Sequence, residues 1–226
     1  MNIDFDKLKA CPLFADIKES DLISLLDYPL AIRQHFNKND FIFVVDDKVT
    51  SIGIVLSGGV RVIQEDFWGN RTIFAHIGPT GLFAEAFSCA ETENFPVSVI
   101  AAIRSEILLI DYQKVISSYP STGTFHGKLI QNMMRILAQK NIILTQKMEI
   151  MTKRTTREKL LFYFSTLALQ SKTGQFAIPF SRQELADYLC VDRSAMTREL
   201  GKMQNEELLS INKNQIKLLR ATDYIK

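Results

Sequence analysis

Two strong helix starts lie eleven residues apart near the C-terminal end, and this spacing constrains the fold more than any other feature. Ser181 and Glu184 have the Ser-x-x-Glu spacing of a capping box, in which each side chain satisfies a backbone amide at the other residue. Asp192 is a second N-cap residue, so the first helix must end near Leu189. Two short helices joined by a tight turn at Cys190-Val191 indicate a helix-turn-helix.

The second helix of this pair separates its apolar side chains from its polar ones. Its predicted inward residues are Ala195, Met196, Leu200 and Met203, and its predicted outward residues are Arg193, Ser194, Thr197 and Arg198. Arginine at a helix N-terminus can bind guanine with two hydrogen bonds, and Ser or Thr can contact a base or a phosphate. The pattern therefore predicts DNA binding.

Two strand-like pieces, 208–211 and 215–219, follow this helix. They would form the hairpin of a winged helix, with Lys213 and Lys217 placed near the DNA backbone. Two alternatives stay open: a helical hairpin in an unrelated core, and a winged-helix adaptor that binds protein. An adaptor would not need both Arg193 and Arg198 to face outward.

Net charge divides unevenly along the chain. Residues 1–150 carry 14 Lys and Arg against 17 Asp and Glu, whereas residues 151–226 carry 13 against 8. The basic excess thus coincides with the predicted helix-turn-helix, where phosphates would be met.

The region from about residue 31 to 111 indicates short strands. An apolar run at 52–56 and an alternating run at 60–64 are separated by Gly58-Gly59. Further strands are expected at 71–77, 96–101 and 106–111. Many short strands without intervening helices predict an antiparallel sandwich or barrel, preceded by a short helix at 19–26.

A long helix is predicted from about Thr124 to Met151. Apolar residues and one Asn recur in it at alternating spacings of four and three, which is a heptad pattern. We expect this seam to form a homodimer, with Asn141 fixing the register, and we expect Met133, Ile136 and Ile143 to pack on the strand region. The alternative is an ordinary core helix with Asn141 in solvent. The seam residues are Ile130, Met134, Leu137, Asn141, Leu144, Met148 and Met151.

Other function classes lack their usual sequence signals. No apolar run is long enough for a membrane span, and no secretory signal is visible, so a cytoplasmic location is expected. The three cysteines are too scattered for a disulfide framework or a Cys-x-x-Cys metal site. No phosphate loop or nucleophile motif occurs, so we expect no enzyme and no cofactor. A cupin-like enzyme, the main enzymatic alternative, would need clustered metal ligands.

Several motifs together resemble the Crp/Fnr superfamily of bacterial transcription regulators. They include the opening Cys11-Pro-Leu-Phe14, the turn at 56–62, the Gly81-Leu-Phe-Ala-Glu85 segment, the long helix and the helix-turn-helix. The resemblance implies an α+β fold with a cyclic-nucleotide-binding-like β-roll (double-stranded β-helix, or jelly roll) at 1–123. A dimerisation helix at 124–152 and a winged helix-turn-helix at 153–226 would follow.

The resemblance also implies residue roles and partners. The base-reading residues would be Arg193, Ser194 and Arg198, with Thr197 a further candidate, and the DNA-binding set also includes Ser181, Arg182 and Lys213. The family often has Glu at the position of Ser194, so this half-site is expected to differ from that of better-known members. The turn usually has Gly at the position of Cys190, where a left-handed conformation would cost about 1 kcal/mol. The implied partners are a pseudo-palindromic DNA site, a second copy of the chain and RNA polymerase.

The effector site is expected to differ from that of cyclic-AMP-binding members. Those members have a Gly-Glu and an Arg-Ser pair, whereas the corresponding residues here are Ala84-Glu85 and Phe95-Pro96. No arginine is left to neutralise a phosphate. We expect a site that is empty or takes another small effector. Its predicted lining is Phe83, Glu85, Phe87, Phe95, Val97 and Leu144.

The metal-dependent branches of the family fit this chain poorly. The iron–sulfur branch needs four cysteine ligands, and only three distant cysteines are present. The haem branch needs axial ligands, and neither His35 nor His76 lies at a matching position. A solvent-facing strand position is the simpler account of each histidine.

Overall fold

A computed structural model describes residues 5–26, 31–117, 124–171 and 174–219. The chain divides into two compact units. The first is formed by residues 1–68 and 74–141, and the second by residues 69–73 and 142–226. The predicted three-part division, with boundaries at 123 and 152, stays a prediction.

The helices and strands occupy most of the described residues. The helices are α1 (Phe5–Lys9), α2 (Glu19–Leu26), α3 (Glu85–Ala90), α4 (Tyr112–Ser117), α5 (Thr124–Thr152), α6 (Thr156–Ser171), α7 (Arg182–Leu189) and α8 (Arg193–Asn205). The strands are β1 (Ala31–Phe36), β2 (Phe41–Phe43), β3 (Ile52–Ser57), β4 (Val60–Glu65), β5 (Arg71–Ile77), β6 (Leu82–Phe83), β7 (Ser98–Ala101), β8 (Ser105–Ile110), β9 (Gln175–Ala177), β10 (Leu209–Asn212) and β11 (Gln215–Leu218). A 3-10 turn covers Pro12–Phe14.

The first unit contains two four-stranded sheets with strand orders β1-β8-β3-β6 and β2-β7-β4-β5. The strand pairs β1–β8, β3–β8, β3–β6, β2–β7 and β4–β7 are antiparallel. Val55 and Ile107 of the first sheet share a buried cluster with Val60 and Val99 of the second. The sheets therefore enclose a common core, as the predicted β-roll requires.

Strand β3 is buried on both of its faces, which explains its uninterrupted apolar sequence. Ile52 and Ile54 point away from the inter-sheet cluster, into a second cluster built with the helices. Gly53 lies opposite Phe83 in β6, and a Cβ atom there would come within 2.0 Å of the Phe83 ring. Only glycine at this position leaves room for the ring.

The outer face of the first sheet is covered by helices. Leu129, Met133 and Ile136 of α5 join the cluster that contains Ile54 and Leu108. The buried Asn132 amide donates hydrogen bonds to the carbonyls of Leu13 and Ala15, at 3.0 and 2.9 Å. Helix α5 is thus fixed to the β-roll by apolar and polar contacts together.

Two parts of the sequence-based prediction for this region were wrong. Helix α3 lies inside the region predicted to contain only strands, because Glu85 and Ser88 are buried and a left-handed Ala84 turns the chain into a helix. Met133 and Ile136 pack inward as predicted, whereas Ile143 is 58% exposed. Ile143 belongs to the second unit, whereas Met133 and Ile136 belong to the first.

The second unit contains the end of α5, then α6, α7, α8 and a three-stranded sheet of order β10-β11-β9. Its core joins Leu160 and Phe164 of α6 to Leu185 and Leu189 of α7 and to Met196 of α8. Strand β9, which the sequence analysis missed, pairs with β11 and brings Phe176 beside Ile216. None of the helices in the described residues is long and apolar enough to cross a membrane.

Candidate nucleic-acid interface and effector site

Both helix starts predicted for the helix-turn-helix are present. Ser181 and Glu184 form a complete capping box: the Glu184 amide donates to Ser181 Oγ at 3.3 Å and the Ser181 amide to Glu184 Oε2 at 2.7 Å. Asp192 caps α8 by accepting from the Ala195 amide at 2.7 Å. Caps of this kind each stabilise a helix by about 1 kcal/mol, so the two short helices are defined by local sequence.

The turn between the helices has the conformation expected from the family pattern. Cys190 is left-handed, with φ of 51° and ψ of 58°. Its amide returns to the carbonyl of Ala186, which ends α7. A non-glycine residue at such an angle costs about 1 kcal/mol, and the caps on both sides offset this cost.

The predicted DNA-reading residues lie together at the exposed start of α8. Arg193, Ser194, Thr197 and Arg198 are exposed, while Met196, Leu200 and Met203 are buried. The Thr197 hydroxyl donates to the Arg193 carbonyl at 2.8 Å. Ala195, predicted to face inward, is half-buried.

The remaining members of the predicted DNA-binding set lie on the flanks. Ser181 is exposed but its hydroxyl serves the capping box, and Arg182 is half-buried, which lowers the pKa of its guanidinium. The wing is present as the β10–β11 hairpin, with Leu209 opposite Leu218. Lys213 lies at its tip in a left-handed conformation and is exposed.

Two lysines that the sequence analysis did not single out hold the C-terminal end of α7. The Lys159 ammonium of α6 donates to the carbonyls of Leu189 and Cys190, at 3.1 and 3.3 Å. Lys147 of α5 donates to the Tyr188 carbonyl and lies 3.1 Å from the centre of the Tyr188 ring. Amine donors at a helix C-terminus satisfy its free carbonyls. Their partners lie 30 and 41 residues along the chain, so sequence spacing gives no signal for them.

The heptad positions of α5 are largely exposed in the single chain. Ile130 is 45%, Met134 66%, Leu144 57% and Met148 69% exposed, and Asn141 is also exposed. Leu137 is half-buried against the core of the first unit, and Met151 is half-buried against that of the second. The exposed seam residues are large and apolar, which is the signature of an interaction surface.

The predicted effector site is filled by an aromatic cluster of Phe43, Phe83, Phe87 and Phe95. Phe43 lies 5.8 Å from both Phe83 and Phe95, and Phe87 lies 4.8 Å from Phe95, all between ring centres in edge-on arrangements. Phe83 and Phe95 are buried, and Phe87 and Val97 pack against the same core. Phe43 was missed because the β2 strand that carries it gives only a three-residue signal.

Glu85, the remaining charged member of the predicted effector site, is paired within the chain. Its side chain is only 5% exposed and its Oε1 atom lies 2.7 Å from Nζ of Lys140 in α5. Lys140 also donates to the Leu82 carbonyl at 2.6 Å. Glu85 Oε2 is buried without a hydrogen-bond partner. Leu144, the last predicted member, is exposed on α5 and does not join this group.

Comparison with known proteins agrees with this architecture. A family model described as a cyclic nucleotide-binding domain matches residues 33–118, and one described as a Crp-like helix-turn-helix domain matches residues 158–222. The chain belongs to the Crp/Fnr family of transcription regulators. It is therefore a DNA-binding regulator of the Crp/Fnr type.

Relatives of this Crp/Fnr regulator match most of its length at low identity. Transcriptional activator protein FnrA of Stutzerimonas stutzeri is 22% identical over 213 residues, covering 92% of this chain and 84% of the relative. The c-di-GMP responsive regulator CLP of Xanthomonas campestris superposes with a TM-score of 0.72 at 17% identity, over 89% of this chain and 99% of the other. FixK2 of Bradyrhizobium japonicum gives 0.63 at 20% identity, over 84% and 92%.

The match to a cyclic nucleotide-binding domain raises the question whether such a ligand fits this Crp/Fnr regulator. It does not fit. The aromatic cluster packs where the ligand is expected, and Lys140, the cation beside Glu85, is already held by that carboxylate and by a carbonyl. A phosphate placed there would remain unpaired, at a cost of several kcal/mol. Within the described residues, no group of three His, Cys, Asp or Glu side chains could hold a metal ion.

We therefore expect cyclic AMP not to bind. Isothermal titration of cyclic AMP into the purified protein should give no binding heat up to millimolar ligand, because the site lacks an available cation for the phosphate. A cyclic-AMP-binding member of the family is the positive control. A micromolar dissociation constant for this protein would contradict the fit described above.

The burial of Lys147 predicts a pH-dependent stability. Burial lowers the pKa of Lys147 from 10.5 to about 7, while Cys190 raises it slightly and the nearby charge of Lys159 lowers it slightly. Between these two pKa values the unfolded chain binds the extra proton, so the free energy of unfolding should rise with pH across that window. The rise should reach about 1 kcal/mol per pH unit.

Denaturant unfolding at pH 6.5, 7.5 and 8.5 checks this for the wild type and for Lys147→Met. The variant should lose the rise in the free energy of unfolding that Lys147 causes, because methionine keeps most of the length of the side chain and has no titrating group. Equal slopes with pH in the two proteins would show that Lys147 titrates normally.

Proposed function

We propose that the chain acts as a homodimer whose two α8 helices read the half-sites of a pseudo-palindromic duplex. The observation that carries the proposal is the capped start of α8, where Arg193, Ser194, Thr197 and Arg198 are exposed together. A helix inserted by its N-terminal end into the major groove presents the side chains of its first turns to base edges. Arg198 is the residue we assign to guanine recognition, and Ser194 is the residue expected to alter the preferred half-site.

The dimer is proposed to form through α5. Exposed apolar side chains at heptad positions lose water when a second copy covers them, and Asn141 would set the register. Symmetric pairing would place two α8 helices for half-sites about 34 Å apart, or one turn of DNA. RNA polymerase is the proposed further partner, the bacterial cytoplasm the proposed location, and no catalytic activity is proposed.

A small effector other than cyclic AMP is proposed to bias the dimer between two states. The support is the connection between the predicted effector site and α5: Glu85 contacts Lys140, and Met133 and Ile136 of the same helix are buried against the β-roll. An effector that displaced the aromatic cluster or competed for Glu85 would act directly on α5. The effector would need different affinities for the two states.

Selection of binding sites from random duplexes tests the DNA-reading proposal. At fixed salt, the wild type should enrich a pseudo-palindrome, and Arg198→Ala should lose preference at one base pair per half-site. The expected loss is about 1–3 kcal/mol of discrimination. Arg104→Ala, which removes an exposed arginine from the β-roll, is the matched control and should select the wild-type site.

Two other outcomes of the selection would count against the proposal. If Arg198→Ala enriches the same site with the same base preferences, the guanine contact belongs to another residue. If the wild type enriches no sequence with or without candidate effectors, the winged helix is an adaptor that binds protein.

The dimer seam has its own test. Leu144→Glu should convert the dimer to a monomer at micromolar concentration, because pairing would bury an unpaired carboxylate at a cost of several kcal/mol. Sedimentation velocity measures the change, and Gln139→Glu, an exposed position off the seam, is the matched control. A Leu144→Glu protein that sediments as the wild-type dimer would place the interface elsewhere.

A further inference from the structure

The start of α6 and one face of α8 enclose a cleft that the sequence analysis did not assign. We call it the α6–α8 cleft; its volume is about 510 Å³. Both helices belong to the second unit. The lining residues are Thr155, Thr156, Arg157, Ala195, Arg198, Glu199 and Lys202.

The cleft is formed by a different face of α8 from the one that carries its first outward residues. Ala195, Arg198, Glu199 and Lys202 recur at helical spacings of three and four, so they form one stripe along the helix. Arg193, Ser194 and Thr197 are exposed but line none of the cleft. Arg198 is therefore the only residue that belongs both to the predicted reading set and to the lining of the cleft.

The charges of the cleft are arranged so that two cations stay available. Arg157 donates to Glu199 Oε1 at 3.0 Å and forms two hydrogen bonds with Glu206, one of them at 3.1 Å. The hydrogen bonds to Glu206 raise the pKa of Arg157 further above its ordinary value. Lys202 Nζ is 3.9 Å from Glu199 Oε2, the limit of an ion pair, and within the described chain no carboxylate pairs with Arg198.

The hydrogen bond from Arg157 determines where the Glu199 carboxylate points. Glu199 is half-buried and lies between Arg198 and Lys202 in the sequence of α8. While Arg157 holds this carboxylate, Lys202 keeps most of its charge for another partner. Without Arg157, the carboxylate would turn to its lysine neighbour and would also repel an incoming anion.

We propose that the α6–α8 cleft holds the DNA strand next to the bases read by α8, with Lys202 contacting its phosphates. Arg157 acts as a positioning residue by keeping Glu199 away from that contact. A polyanion suits a cleft whose two available side chains, Arg198 and Lys202, are both cations about 6 Å apart along the helix. The inference rests on the proposed function and assigns residues to its sequence-independent part.

The salt dependence of binding measures the phosphate contact directly. Binding of the selected duplex and of a scrambled duplex is followed by fluorescence anisotropy between 50 and 300 mM KCl. Lys202→Gln removes one lysine contact from each half-site of the dimer, so it should weaken both complexes at least about tenfold and should reduce the slope of log K against log salt by about 1.8. Lys38→Gln, which removes an exposed lysine from the β-roll, should leave slope and affinity unchanged.

Two further variants separate the contact from a structural effect. Thr156→Asp places a carboxylate in the cleft at the first residue of α6, where a negative charge stabilises the helix. It should weaken DNA binding more than tenfold without lowering the melting temperature. Arg157→Ala should weaken binding through the released Glu199, and Arg157→Ala combined with Glu199→Gln should restore it to within about twofold of the wild type.

The outcomes distinguish this inference from the proposed function. If the wild type selects its site but Lys202→Gln and Thr156→Asp bind with wild-type affinity and slope, the cleft does not contact DNA and the reading by α8 stands. If Glu199→Gln fails to restore binding to Arg157→Ala, Arg157 has no positioning role. If the wild type binds no duplex at 50 mM salt, with or without candidate effectors, both the proposed function and this inference are rejected.

Discussion

The burial of one face of helix α5 is the constraint on which the first unit depends. Leu129, Met133 and Ile136 cover the outer face of a sheet whose central strand β3 is apolar on both sides. Without that cover, Ile52 and Ile54 would face water, at a cost of about 1.5–3 kcal/mol for each side chain. The Asn132 amide also fixes the position of α5, because it donates hydrogen bonds to the carbonyls of Leu13 and Ala15.

The same helix supplies the cation that pairs with the buried carboxylate of the predicted effector site. Lys140 of α5 pairs with Glu85, so this buried carboxylate has a cationic partner within the chain. The aromatic cluster fills the adjoining space. The predicted effector position therefore holds the chain's own side chains.

Sequence reasoning worked best where the physical cause is local. The capping box at Ser181 and the N-cap at Asp192 follow from neighbours within a few residues. It did less well where the cause lies far along the chain. Examples are helix α3, the contribution of Phe43 to the aromatic cluster, and the lysines at the end of α7. Each depends on contacts with distant residues, which no local sequence pattern predicts.

The sequence by itself determined the helix-turn-helix, the extent of α5 and the β-rich character of the first unit, because capping and periodicity act over one or two turns or a single strand. Only the tertiary structure decided which polar groups meet. Glu85 finds Lys140, Arg157 finds Glu199 and Glu206, and α6 encloses a cleft with α8. Packing between distant segments brings such pairs together, so their spacing in the sequence does not predict the contact.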